Sequence, residues 1–157
     1  GIVHQDLRPQ NVLYANTDRD ARLVVTDWVC SEYITTQPEK SRRKLIITDF
    51  SAPELRRDTR SDRGDVWSIG VLAFMLVTNR LPFLAGAPPE DLTFGEEGAG
   101  FSAEFRDFAA RLLRLSPDER PSARTALAHP WLLSAWVTSK PPGPALKPTT
   151  RSGRFRE

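Results

Sequence analysis

Apolar and polar positions alternate in short blocks at the start of the chain and lengthen into helical stripes toward its end. Ile2 and Val3 close a short strand, which the polar stretch His4 to Asn11 interrupts. Pro9 fixes the backbone there and pushes Arg8 toward an extended conformation, so this stretch reads as a loop. Val12-Leu13-Tyr14 and the run Arg22 to Thr26 are β-prone and flank a polar turn, Ala15 to Ala21; together they predict a hairpin. Cys30 to Thr48 has no period and is expected to be irregular. Ser51-Ala52-Pro53-Glu54 opens a short helical turn, with Pro53 at a first helical position. Asp65 to Val77 is apolar on nearly every face and predicts a buried helix, which Asp65 caps or from which it holds neighbouring backbone. Leu84 to Gly100 reads as loop. Ser102 marks the start of an amphipathic helix running to about Leu115, with Phe105, Phe108, Ala109, Leu112 and Leu113 on one stripe. After a turn at Ser116 to Pro121, Ser122 to Leu127 is expected to be the last short helix. His129 has no His or Cys near it in sequence and reads as a packed or capping residue. The domain is expected to span 1–136, with a Pro-rich, basic, flexible tail over 137–157.

Composition narrows the class. The 157 residues carry 39% hydrophobic and 27% charged side chains, enough for a core and too apolar for a disordered chain. The net charge of +2 does not argue for nucleic-acid binding, and part of the excess sits in the tail at Lys140, Lys147, Arg151, Arg154 and Arg156. One cysteine, Cys30, excludes an internal disulfide and fits a reducing, cytoplasmic setting. No apolar run reaches membrane-spanning length, so no membrane partner is expected. The start, Gly1-Ile2-Val3-His4, shows no signal pattern and reads as the middle of an element, as in a fragment.

The chemistry concentrates in His4-Gln5-Asp6-Leu7-Arg8-Pro9-Gln10-Asn11. An acid at Asp6 suits the role of proton acceptor for an attacking hydroxyl. A cation at Arg8 suits a transferred phosphate, and an amide at Asn11 suits Mg²⁺. Taken alone, the same stretch also reads as a polar turn with Asp6 and Asn11 as turn formers. The second strand of the hairpin delivers Asp27 near Asn11, where a carboxylate could be a further Mg²⁺ ligand.

These pieces, in this order, resemble the C-terminal lobe of a eukaryotic serine/threonine protein kinase over about residues 1–133. His4-Gln5-Asp6 with Arg8 and Asn11 matches the catalytic loop, Asp27-Trp28-Val29 stands where the metal-binding Asp-Phe-Gly belongs, and Ala52-Pro53-Glu54 closes an activation segment. Asp65-Val66-Trp67-Ser68-Ile69-Gly70 matches the buried helix, and Arg120 the arginine that pairs with the glutamate of Ala-Pro-Glu. His129-Pro130-Trp131-Leu132 is similar to the calcium/calmodulin-dependent group. Asp6 to Asn11, Leu92-Thr93-Phe94 and the final helices resemble the giant muscle kinases (titin and obscurin type) or Trio-type kinases. The resemblance implies a mainly α fold with a small β-hairpin, a C-lobe without its N-lobe. It implies ATP and Mg²⁺ as cofactors, Asp6 as base, Arg8 at the γ-phosphate, Asn11 and Asp27 as metal ligands, and Glu54, Asp65 and Arg120 as structural residues. A protein substrate is expected, with a regulatory protein at the activation segment or tail and a cytoskeletal or sarcomeric setting within the cytoplasm.

The chain departs from that pattern. Gln5 replaces an arginine that in many kinases receives an activation-loop phosphate; Val29 replaces a glycine; Ile47 replaces a hydroxyl that orients the catalytic acid. Arg8 replaces a lysine, exchanging a compact ammonium for a planar fork. The chain holds no Gly-rich loop and no strand lysine, so alone it is expected to be inactive and to expose apolar surface on its buried helix. The departures support a second reading, a pseudokinase scaffold that binds partners with little or no phosphotransfer.

Overall fold

The computed structural model describes residues 1–33, 46–57, 59–83, 94 and 100–138. Thr35, Thr36, Ser41, the basic run 42–44, Leu92-Thr93 and the tail from 139 lie outside them.

The N-terminal part holds two small antiparallel pairs. Strand β1 (Ile2–Val3) pairs with β4 (Glu32–Tyr33), with Val3 opposite Glu32. Strands β2 (Val12–Tyr14) and β3 (Leu23–Val25) form the expected hairpin, with Val12 opposite Val25. The hairpin turn is closed by Ala15 N–H to Arg22 O at 2.8 Å and by an Asn16 side chain accepting from Asp18 N–H at 3.0 Å, both short local bonds of the kind Asn and Asp favour. Strand β4 was not expected: two residues in a stretch without alternation leave no periodic signal, and only pairing with β1 makes them a strand.

The C-terminal part is helical around α1 (Asp62–Thr78). One expectation for this helix, its start, is corrected. Its N-cap is Ser61, whose hydroxyl accepts from Arg63 N–H, so the helix begins three residues before Asp65. Asp65 takes the second of its two expected roles and holds other backbone with its carboxylate, as described below. As expected of this chain, the helix exposes part of its apolar surface: Val66, Trp67, Val71 and Phe74 are buried, whereas Leu76 is 79% exposed and Ile69 and Val77 are partly so. Asn79, in a left-handed conformation (φ 55°), closes the helix with its N–H on Met75 O.

Helix α2 (Ala103–Leu112) starts at the Ser102 cap and ends at Leu112, earlier than the stripe suggests. The carbonyls of Arg114 and Leu115 are needed elsewhere, as acceptors for Arg120. Helix α3 (Ala123–Leu127) is followed by a further helix, α4 (Pro130–Thr138), so α3 is not the last. Pro130 opens α4 as the first helical residue. His129 caps it by accepting Trp131 N–H on Nδ1, packs on Phe108 at 5.2 Å and reaches Asp107 through Nε2 at 3.0 Å.

Three buried clusters surround α1. Trp67 and Val71 join Ala52, Leu55 and Leu113, with Phe83 stacked on Trp67 at 5.3 Å. Val66 and Ala73 join Phe108 and Leu112, while Phe74 joins Phe105 and Ala109. Trp131 of α4 seals the last two. Helices α1 and α2 touch most closely at Gly70. A methyl group there would lie 2.9 Å from Leu112 Cβ and from Leu113 Cδ2. No helix among the described residues is long and apolar enough to cross a membrane.

Two outcomes are expected from this packing. Gly70→Ala, which overpacks the α1–α2 contact, should destabilise the domain by about 1–3 kcal/mol. Gly64→Ala, whose nearest neighbour is Ala52 Cβ at 4.0 Å, should be neutral or stabilising by up to about 1 kcal/mol. Denaturant midpoints compare the two, and equal shifts would contradict the packing. On the surface, Arg111 and then His129 hold the Asp107 carboxylate below its ordinary range. A lowered value means stability present at neutral pH and lost as pH falls through it. Asp107→Asn should therefore cost about 0.2–1 kcal/mol at pH 7, after allowance for solvent screening of an exposed pair. The difference should vanish well below pH ~3.9, the ordinary Asp value.

Candidate active site

The polar loop after β1 is held from beneath by α1. Asp65 accepts His4 N–H at 2.7 Å and Gln5 N–H at 2.9 Å, one on each carboxylate oxygen. Burial pushes the Asp65 carboxyl above its ordinary value, and the two N–H donors pull it partly back. The grip matters because Gln5 is left-handed (φ 67°), a conformation a non-glycine residue holds only when its surroundings impose it.

His4 is buried and bonded on both ring nitrogens. Nδ1 accepts from Asp6 N–H at 3.2 Å, so Nε2 carries the proton and donates to Thr26 O at 2.9 Å. The ring thus ties Asp6 to the end of β3.

Asp6 follows in a buried position. Asn11 donates both amide hydrogens to it, to the backbone oxygen at 2.8 Å and to Oδ2 at 2.9 Å. This fixes the orientation of the Asn11 amide and leaves its oxygen directed away from Asp6. The short 3₁₀ turn Pro9–Asn11 sets the spacing, with Asn11 N–H on Arg8 O at 2.9 Å. Arg8 is extended, as the following proline requires. Its Nε lies 3.2 Å from Asp6 Oδ1 without the alignment of a hydrogen bond, and both atoms are buried with no hydrogen-bond partner among the described residues.

Asp27 arrives from β3. Thr26 N–H bonds Asn11 O at 2.8 Å, so the next residue is delivered beside Asn11. Asp27 is exposed and left-handed (φ 59°). Trp28-Val29-Cys30 then form a 3₁₀ turn. The Trp28 indole donates to Val25 O at 3.1 Å and meets the His4 ring edge-on at 4.6 Å, while Ser31 Oγ donates to Trp28 O at 2.6 Å. Val29 is exposed, so no cavity asks for a smaller residue there.

Glu54 and Arg120 meet away from this loop, beside the start of α1. Arg120 bonds Glu54 bidentately at 2.6 and 2.8 Å, and donates also to the carbonyls of Arg63, Arg114 and Leu115. All five of its N–H groups are used. It is 2% exposed and lies over the Trp67 ring at 4.8 Å. Ile47 is partly exposed, and the neighbouring Thr48 hydroxyl is engaged with Ser51 Oγ and Phe50 N–H, so it does not replace the hydroxyl missing at position 47.

The structure therefore brings Asp6, Arg8 and Asn11 together, carries Asp27 alongside through Thr26, and places Glu54 with Arg120 as a separate pair. Three further residues take part, of which the sequence motif includes His4 but not Glu32 or Arg60. His4 carries a signal, since it stands two before Asp6. Glu32 and Arg60 carry none, being far apart in unpatterned stretches; they form an ion pair at 2.8 Å that reaches Gln5.

No group of three or more His, Cys, Asp or Glu side chains that could hold a metal occurs among the described residues. The donors present are one carboxylate and one amide oxygen. That set fits Mg²⁺, which takes one or two protein oxygens and completes its shell with phosphates and water.

Residues 1–132 match the protein kinase domain model. The chain belongs to the protein kinase family. Its relatives include serine/threonine kinases. It is 33% identical over 142 residues to a CDPK-related protein kinase of Daucus carota, covering 84% of this chain and 23% of that protein. It is 33% identical over 154 residues to the serine/threonine-protein kinase H1 homolog of Pinctada fucata, covering 88% and 36%. The structure of the Rad53 kinase domain and SCD2 in complex with AMPPNP is similar, with TM-score 0.63, 28% identity, and 84% of this chain and 51% of that one covered. The chain spans 23% and 36% of these curated relatives' length.

Removing Arg120 strands the Glu54 carboxylate in a nearly closed site. Arg120→Ala should cost about 3–5 kcal/mol, whereas Arg124→Ala, at an exposed position of α3, should stay within about 0.5 kcal/mol. Melting curves of the two variants check this; equal midpoints would contradict it.

Proposed function

We propose that the protein carrying these residues is a serine/threonine kinase that transfers the ATP γ-phosphate to a protein hydroxyl, with this chain as its C-lobe. The observation that carries the reading is the Asp6 carboxylate. One oxygen is held by Asn11, and the other is a buried acceptor without a hydrogen-bond partner among the described residues. Arg8 offsets its charge at 3.2 Å without supplying an aligned hydrogen bond, and a substrate hydroxyl would supply one. Asp6 Oδ1 then takes the proton as the hydroxyl oxygen attacks. Arg8, ion-paired to the same oxygen, sets positive charge where the transferred phosphate gathers negative charge. Asn11 Oδ1 and the Asp27 carboxylate are the residues that would hold Mg²⁺, which when bound would neutralise phosphate charge. The similar Rad53 kinase domain is in complex with AMPPNP, which supports nucleotide as the ligand. The groups that cradle the nucleotide from above lie beyond these residues, so phosphotransfer belongs to the whole kinase and not to this chain alone.

The narrower likeness to giant muscle or Trio-type kinases rests on Asp6 to Asn11, Leu92-Thr93-Phe94 and the final helices. It carries with it a protein substrate, a regulatory partner at the activation segment or tail, and a cytoplasmic, cytoskeletal setting. Gln5 is neutral and cannot form a charge-assisted fork with a phosphate, so activity should not require activation-loop phosphorylation.

The pseudokinase reading is favoured by one observation of its own: no hydroxyl stands at position 47, and that of Thr48 is committed to a turn. Melting of the whole kinase with Mg·ATP, and with ATP plus chelator, separates the two. A ligand that binds only the folded state raises its stability. A Mg²⁺-dependent rise that Asp27→Ala abolishes, with turnover that Asp6→Asn lowers by at least about 10²-fold, is expected. No shift at millimolar nucleotide would give the scaffold reading instead.

A further inference from the structure

Gln5 precedes the proposed base and is left-handed (φ 67°), so its conformation must be imposed. Asp65 holds its backbone N–H. Its side chain is held from another direction: Nε2 donates to Glu32 Oε2 at 3.1 Å, while Oε1 is buried with no partner among the described residues. Glu32 is thus what anchors the Gln5 amide. The same Glu32 oxygen is bonded by Arg60 Nη1 at 2.8 Å, and the two side chains are only 16% and 8% exposed. The Arg60 guanidinium thus holds the Glu32 carboxylate in place and offsets part of the cost of desolvating it. Glu32 is also registered by its backbone, since it lies opposite Val3 in the β1–β4 pair, two residues before Gln5. A ring therefore closes from β1 to β4, through the Glu32 side chain to Gln5, with Arg60 fastening it to the segment that leads into α1.

We propose that Glu32 and Arg60 are positioning residues: a half-buried ion pair that grips the Gln5 side chain and so fixes the peptide that presents Asp6. The inference rests on the kinase reading above. Its consequence follows from lever length. A turn of about 20° at Gln5 φ moves the next residue by about 1 Å, and a misplacement of about 1 Å at a reacting group costs about 10²-fold in rate. Asp27, the carboxylate that would hold Mg²⁺, reaches the site through β3 and is not on this lever, so nucleotide affinity should change less than kcat.

The test uses the intact kinase containing these residues, with Glu32→Met, Glu32→Gln and Arg60→Met. Glu32→Met keeps the bulk and removes the acceptor; Glu32→Gln keeps an acceptor in the same place. Steady-state turnover is read alongside amide hydrogen exchange at Gln5 and Asp6, whose N–H groups bond Asp65 and His4. Glu32→Met and Arg60→Met should lower kcat at least about tenfold with nucleotide KM within about twofold. They should also speed exchange at Gln5 and Asp6 by at least about tenfold, leaving Val66 to Phe74 protected. Glu32→Gln should recover most of both. Unchanged exchange at Gln5 and Asp6, or faster exchange spread evenly through α1, would overturn the proposal. If the unsubstituted kinase shows no turnover, the kinase reading fails while the exchange pattern still decides the role of Glu32 and Arg60.

Discussion

One guanidinium gathers the helical part of the chain. Arg120 reaches the 3₁₀ turn Pro53–Arg57 through Glu54, the first turn of α1 through the Arg63 carbonyl, and the end of α2 through the carbonyls of Arg114 and Leu115. Trp67, at the centre of one core cluster, lies against its face. A planar cation with five donors is suited to this because each donor leaves at a fixed angle, so satisfying all of them fixes several segments at once. The ion pair need not add much net stability, since burying two charges is itself costly. Its effect is specificity: only one arrangement of these segments leaves no buried charge or carbonyl without a partner.

From that framework, order passes to the polar loop through Asp65. A helix in the core presents a carboxylate to two consecutive backbone N–H groups, which holds the Gln5 backbone, while Glu32 holds its side chain. His4 carries the constraint onward to Asp6 and to the end of β3, and Asn11 closes it by donating both its hydrogens to Asp6. The candidate site is thus built mostly from backbone bonds made by side chains. This is why a short polar loop with few apolar neighbours can still be rigid.

The parts legible in the sequence were those with local signals. The hairpin had two β-prone runs around a polar turn. The extended Arg8 had a proline after it. Helices α1 and α2 had long apolar or amphipathic stretches, and α2 had its serine cap. The spacing of Asp6, Arg8 and Asn11, with Asp27 and the Ala-Pro-Glu segment, was sufficient to indicate a kinase, and the family match agrees. What could not be read depends on long-range pairing. Strand β4 exists because β1 lies beside it. The early end of α2 follows from a demand made by Arg120. Helix α4 starts at a proline directly after another helix, where a break is the natural reading. Glu32 and Arg60 sit in stretches with no pattern and meet only in three dimensions.

The hairpin that carries Asp27 is closed at its inner end by Thr26 and Asn11, and at its outer end by Ala15 and Arg22. Residues beyond the outer closure touch little else and are exposed from Asn16 to Asp20. The distance between the amide at Asn11 and the carboxylate at Asp27 is therefore independent of how long the tip is. Related chains are free to lengthen, shorten or decorate that tip, and a reporter peptide inserted at Thr17 would ride on the molecule without altering the span between the two oxygen donors.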